Sequence, residues 1–206
     1  MEAFARLAEA GFDLVHAFAT NADAVARDPR FAALAGGRTL GLLVGNTRAL
    51  WPRFTAARRD PTLAADPDPL DRYTEHIIDA AFPAARIFYG HRTYGGTYVP
   101  LQHLAVATGL GAFAPSQLVI HPIHGPWFAL RAVVLVADDG GSRPRPAPIA
   151  QPCRCDTRCA TALSVALAAP PTAAAGIAVR DGCTLNGSRY SDEQIAFHYA
   201  RLVPSR

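Results

Sequence analysis

The hydrophobic pattern is densest over residues 118–136, LVIHPIHGPWFALRAVVLV. A β-branched apolar run at each end encloses His121, Pro122, His124, Gly125, Pro126 and Trp127, a combination that only a turn accommodates. The pattern predicts a hairpin of strand, tight turn and strand. Two imidazoles, an indole and the following Arg131, displayed between runs that must be buried, suit a binding loop. The plainer alternative is an ordinary hairpin whose histidines are solvated.

Apolar positions from residue 2 to 19 fall close to a helical period, with Gly11 as a break within or after the first helix. After the Gly36-Gly37 turn, Leu40–Val44 reads as a short buried strand. Thr47 then offers an N-cap for a helix over 48–57, whose Trp51 and Phe54 pack on the sheet. A proline-rich connector, 58–69, leads to a helix over 70–81 on which Leu70, Tyr73, Ile77 and Ile78 recur at helical spacing and His76 is a structural residue. Arg86–Tyr89 reads as a strand. The pair Gly95-Gly96 permits a close backbone approach before a helix over 101–110, which Gly109-Leu110-Gly111 closes. Those glycines match a G-x-G-x-x-A dinucleotide pattern, but they end a helix instead of opening one, so the phosphate cradle is absent. Residues 138–152 read as an extended arm able to pair subunits. Beyond it the pattern predicts a helix near 161–168, a Pro170-Pro171 break, a strand at 176–179, and a closing helix for which Ser191 and Gln194 form a capping box.

Composition narrows the chemistry. At 206 residues with half of them apolar, the chain is long enough for one domain with a sizeable core. The net charge of +3 comes from arginine alone, because the sequence contains no lysine, which excludes a Schiff-base or Walker-type lysine. The arginines are scattered and not interleaved with aromatics, so an anionic small ligand fits better than nucleic acid. No run has the length of a membrane span and the N-terminus lacks a leader pattern, so the expected location is cytoplasmic. Four cysteines are then read as free thiols or metal ligands instead of disulfides.

The block from Val99 through T-G-L-G to L-V-I-H-P-x-x-G-x-W-F-x-L-R resembles the cobalamin-processing CblC (MMACHC) family. GRTLGLLVGNTRALW, DPDPLDRYTEHII, RIFYGHR and RYSDEQIAFHY are similar to that family's segments in the same order, so the resemblance spans nearly the whole chain. Residues 109–128 are also similar to the corrinoid-binding motif of epoxyqueuosine reductases and reductive dehalogenases. The resemblance implies an α+β, nitroreductase-like fold with a central mixed antiparallel sheet flanked by helices. It implies a protein that binds cobalamin base-off and removes its upper ligand, by reductive decyanation or thiol-dependent dealkylation, before passing it to a downstream acceptor.

By the same resemblance, Phe88, Val99, Pro100, Leu101, Gln102, Phe113, Ala114, Pro115, Val119 and Leu130 match positions that contact the corrinoid. Gly109, Gly111 and Trp127 belong to the two bends that receive the ring. Relatives carry tyrosines and a glutamine where this chain has Phe113, Ala114 and Pro115, which weakens the case for side-chain hydrogen bonds there. The D-x-H-x-x-G signature of mutases with an axial histidine is absent, and His121 is the imidazole placed near the cobalt face, unless it is a satisfied structural residue. Arg131 and Arg180, with Arg201 or Arg206 as a third, match arginines that receive the carboxylates of glutathione. Surface salt bridging is the alternative. The reductant is a thiol or a reduced flavin, FMN or FAD. Cys153, Cys155, Cys159 and Cys183 form C-x-C-x3-C with a distant fourth thiol, read as a zinc or cluster site or, in preference, as unligated thiols. Two rival functions share the fold: a non-catalytic corrinoid carrier or sensor, and a flavin-dependent nitroreductase.

Overall fold

The structure, a computed structural model, describes residues 2–34, 40–137, 153 and 158–200. In chain order the elements are α1 (Glu2–Glu9), β1 (Leu14–Ala19), α2 (Asp23–Ala26), a 3-10 turn at Pro29–Leu34, β2 (Leu40–Asn46), α3 (Leu50–Ala57), α4 (Pro61–Ala64), α5 (Pro69–Ala81), β3 (Arg86–Tyr89), β4 (Thr93–Tyr94) and β5 (Thr97–Tyr98). There follow α6 (Leu101–Ala107), β6 (Ala112–Phe113), β7 (Val119–Ile120), β8 (Ala129–Val136), α7 (Arg158–Leu167), α8 (Ala173–Asp181) and α9 (Asp192–Tyr199). They divide into two compact units. One holds the described residues of Met1–Gly109 and Ala129–Pro148, the other those of Leu110–Phe128 and Ile149–Arg206.

The first unit is built on a sheet of order β1-β2-β8-β3 in which every pairing is antiparallel. This is the anticipated α+β class, a central antiparallel sheet with helices packed beside it. Leu42, Leu43 and Val44 of β2 and Ala132 to Leu135 of β8 are all buried, as continuous apolar runs require when both faces of a strand are covered. Gly41 faces Phe18 across the β1-β2 pair, and a Cβ there would fall 2.3 Å from the ring, so the phenyl group fills the space of the missing side chain. Helix α6 packs against β8, α1 and α3 pack on α5, and Tyr73 of α5 meets Phe54 of α3 and Phe12, which follows α1. Phe54, expected on the sheet, is buried against Tyr73 of α5, and Trp51 is half-buried beside it.

Several expectations give way. The second half of the 2–19 stretch is strand β1, because Gly11 at φ +90° ends α1 while Leu14, Phe18 and Ala19 find a ladder partner in β2. Thr47 caps a preceding turn, accepting from the Ala49 N–H, and α3 begins at Leu50. The connector carries the short helix α4, capped by Asp60. His76 is exposed. Gly95 and Gly96, both at positive φ, form the two-residue turn between β4 and β5 with open space around them, so they serve backbone conformation and not a close approach.

The hairpin over 118–136 is absent in the form expected. β7 pairs with β6, whereas β8 pairs with β2 and β3, so the two runs flanking the histidine turn belong to different sheets. In the second unit, residues 176–179 lie in helix α8, whose N-cap Thr172 accepts from the Ala175 N–H; the Ala173-Ala174-Ala175 run outweighs the local β-branched residues. Ser191 caps α9 by accepting from the Gln194 N–H, but the Gln194 amide makes no return bond among the described residues, leaving half a capping box. The second unit's cores are Ala114, Ile120 and Cys183 in one place and Trp127, Tyr190 and Ile195 in another. The Gly36-Gly37 turn, the 138–152 arm, Cys155, Arg201 and Arg206 lie outside the described residues.

Candidate functional site

The sequence-selected residues fall on both units, and each group has its own geometry. In the first, Phe88 is buried on β3, meets Tyr94 edge-on at 4.9 Å and carries the Arg86 guanidinium 4.8 Å above its ring. Val99 is buried, Pro100 caps α6, Leu101 is buried over Gly90 and Gln102 is exposed. A Cβ at Gly90 would sit 2.7 Å from Leu101 Cδ1, so that glycine lets α6 close on the end of β3. Leu130 is half-buried.

Arg131 occupies an irregularity of β8. Val44 pairs with Ala132 and Gly45 with Leu130, so Arg131 is the extra residue of a bulge, a device that re-aims a side chain. Its Nε donates to Asn46 Oδ1 at 2.8 Å, while Asn46 Nδ2 donates to the Thr47 carbonyl at 2.9 Å. Thr47 in turn donates its N–H and its hydroxyl to the Asp13 carboxylate. In the sequence, the signal for Asn46 is a polar side chain closing the run LGLLVGN.

Also in the first unit, α5 sets Asp71, Glu75 and Asp79 at four-residue spacing toward the chain leaving β3. Glu75 Oε1 takes His91 Nε2 at 2.8 Å and Arg92 Nε at 2.6 Å, and Asp79 accepts from the Tyr89 hydroxyl at 2.6 Å. Asp71 lies 3.6 Å from His91 Nδ1. Burial pulls the Glu75 carboxyl upward, but the bonds from His91 and Arg92 outweigh it and hold the group below its ordinary value. Burial, aided by the Asp79 hydrogen bond, pushes the Tyr89 phenol far up. The set is fully paired and ties α5 to the strand exit.

In the second unit, Gly111 lies buried in the β6-β7 hairpin, where a Cβ would come within 2.7 Å of the Ile120 carbonyl oxygen. Gly109, the last residue of the first unit, has φ +80° and terminates α6. Both glycines therefore have work inside the fold. Ala114 and Val119 are buried, Phe113 is half-buried and Pro115 is exposed.

The histidine turn closes on itself: His121 and Gly125 exchange both backbone hydrogen bonds at 2.9 Å. The His121 Nδ1 accepts from the N–H groups of Ile123 at 3.1 Å and His124 at 3.3 Å, which places the proton of the neutral ring on Nε2. The ring stacks on His124 at 4.6 Å, and His124 Nδ1 meets Ser188 Oγ at 2.8 Å. Trp127 is fully buried, with the guanidinium groups of Arg180 and Arg189 5.5 and 5.4 Å from its ring. Arg180 Nη1 donates to the Pro126 carbonyl at 2.8 Å, so this arginine pins the turn. Arg189, which sequence reasoning passed over, pairs with Asp181 and Asp192.

Cys159 and Cys183 are buried and Cys153 half-buried, and none of the three is in a disulfide. No metal-binding group of three or more His, Cys, Asp or Glu exists among the described residues. Burial raises the Cys183 thiol above its ordinary value, an effect that Cys153 and Cys159 reinforce and a backbone hydrogen bond at Leu185 opposes.

No protein-family model and no curated protein sequence matches the chain. Among solved structures, the Caenorhabditis elegans B12-trafficking protein CblC, a human MMACHC homologue, superposes with a TM-score of 0.64 at 18% identity, covering 94% of this chain and 87% of the other. The chain has the CblC fold. At that identity the likeness carries the architecture alone, and the nitroreductase-like α+β class expected from the sequence is met in it. Within the CblC fold of this chain, no helix among the described residues is long and apolar enough to cross a membrane.

Proposed function

We propose that this protein binds a cobalt corrinoid base-off, strips its upper ligand and passes the product to an acceptor. The reading is carried by the CblC fold running through 94% of the chain. Phe88, Val99, Leu101 and Leu130 of the first unit offer apolar surface for the ring, with Pro100 and Gln102 beside them in the chain. Arg131 is the group that receives a carboxylate of an incoming thiol such as glutathione, since guanidinium and carboxylate pair as forks. A reduced flavin is the alternative electron source for decyanation.

A carrier without chemistry is the second reading. It is favoured by the engagement of Arg180 with Pro126 and Trp127, which gives one of the two matched arginines a structural task. Titrating the protein with cyanocobalamin and methylcobalamin under visible spectroscopy, with and without glutathione or reduced flavin, separates the two. A base-off shift followed by loss of the cyano or methyl ligand fits the processing role. A shift without turnover fits the carrier, and no shift at micromolar protein sinks both.

A further inference from the structure

We infer that Asn186 is a site of spontaneous self-modification: its side chain cyclises onto the Gly187 nitrogen, and the isoaspartyl product releases the histidine turn from Ser188. Asn186 and Gly187 are exposed at the head of the turn 186–189, which the Arg189 N–H closes by donating to the Asn186 carbonyl at 2.9 Å. Among the described residues no hydrogen bond engages the Asn186 side-chain amide or the Gly187 N–H. Gly187 has no Cβ to shield its nitrogen, and no atom lies within 4 Å of where one would be.

The other two asparagines of the chain lack this combination. Asn21 is followed by Ala22, whose N–H donates to the Ala19 carbonyl at 3.2 Å. Asn46 is buried and held through both amide atoms, by Arg131 and Thr47, and the Thr47 N–H that follows it goes to Asp13 at 2.7 Å. A nitrogen committed to an acceptor and shielded by its own side chain attacks poorly, so the reactivity that makes asparagine labile concentrates at 186.

In the step, the Gly187 nitrogen bonds to Asn186 Cγ, the Cγ–Nδ2 bond breaks, and ammonia leaves with the proton of the Gly187 N–H. Water then opens the cyclic imide at either carbonyl, and no oxidant or reductant takes part. One opening gives aspartate with an ordinary main chain. The other gives isoaspartate, whose main chain runs through Cβ and Cγ and is longer by one carbon–carbon bond of about 1.5 Å. That altered link lies between two supports of the histidine turn, all within the second unit. One is the Leu185 carbonyl, on which Gly125 is seated with no room for a Cβ; the other is Ser188 Oγ, 2.8 Å from His124 Nδ1. A hydrogen bond does not survive a stretch of that size, so isoaspartate gives up the His124–Ser188 bond while aspartate keeps it.

The test ages the full chain at about pH 8 and about 37 °C and maps its peptides by electron-transfer mass spectrometry, which tells isoaspartate from aspartate. Asn186 should deamidate about tenfold or more faster than Asn21 or Asn46, and should slow markedly in Gly187→Ala, whose methyl group meets open space. Comparable rates at Asn186 and Asn21, or no slowing in Gly187→Ala, overturn the modification. The isoaspartyl fraction is then separated by chromatography, and nitrogen NMR of histidine-labelled protein reads the His124 ring. Its Nδ1 signal should move as it does in Ser188→Ala, whereas Asn186→Asp retains the wild-type signal. An isoaspartyl fraction with the wild-type signal, or an Asn186→Asp protein whose signal moves as far, overturns the release of the turn.

Discussion

A Cβ placed on Gly125 would lie 1.8 Å from the Leu185 carbonyl oxygen, inside any contact distance, and Gly125 also has φ +58°. The histidine turn is therefore seated directly on backbone. Gly125→Ala must push that backbone away and adopt a left-handed conformation as well, and should cost about 3 kcal/mol or more. Urea unfolding monitored by tryptophan fluorescence checks this; a loss under about 0.5 kcal/mol would contradict the seating.

Arg180→Ala removes the bond to the Pro126 carbonyl and a cation beside the Trp127 ring. Loss of a charge-assisted bond and a ring contact predicts about 2 kcal/mol of destabilisation. Arg180→Lys should restore only part of it, since an ammonium cannot reproduce the planar fork. Denaturation midpoints of the three proteins provide the comparison.

The Glu75 carboxyl is held below its ordinary value of 4.5 in the folded chain by His91 and Arg92, against the upward pull of its burial. As pH falls the unfolded chain takes up this proton first, so the contribution of Glu75 is complete above about pH 4.5 and is lost as the pH drops through the depressed native value. Glu75→Gln should reduce the acid slope of stability in that window and lower stability at neutral pH by about 1 kcal/mol, given that Arg92 is largely exposed. Stability curves between pH 3 and 7 measure both effects. An unaltered acid slope would dismiss the pairing as a stabilising feature.

Burial keeps the Cys183 thiol protonated above its ordinary pKa, with Cys153 and Cys159 adding to the effect. Since the thiolate is the nucleophile, Cys183 should react with iodoacetamide at pH 8 at least tenfold more slowly in the native protein than in urea. Mass-spectrometric time courses with site mapping would show it. Native and denatured rates within a factor of two would mean that the thiol is open.

Local signals were legible where sequence neighbours decide the outcome. Arg86–Tyr89 is β3 to the residue, Leu40–Val44 lies within β2, and the helix read at 70–81 is α5 with Pro69 at its first position. Illegible features depend on partners distant in sequence. Val119–Ile120 and Ala129–Val136 looked like two arms of one hairpin, but nothing local records that Ala112–Phe113 pairs with the first run and β2 and β3 with the second. Leu14–Ala19 satisfied a helical period until a strand 26 residues away took it as an edge, with Leu14 opposite Gly45 and Ala19 opposite Leu40. At the candidate site, the arginine Arg131 was visible from its motif. The bulge that aims it and the Asn46 that holds it were not, because both arise from β2 meeting β8 across 85 positions of chain.

The seat of β8 between β2 and β3 has a consequence for biogenesis. Until a ribosome has emitted the segment ending at Val136, β2 and β3 lack the partner that β8 provides, β2 on the edge away from β1. Nascent chains halted at residue 128 present these bare apolar ribbons, the kind of surface on which polypeptides clump and chaperones settle. The last strand to be made is the keystone of the first sheet.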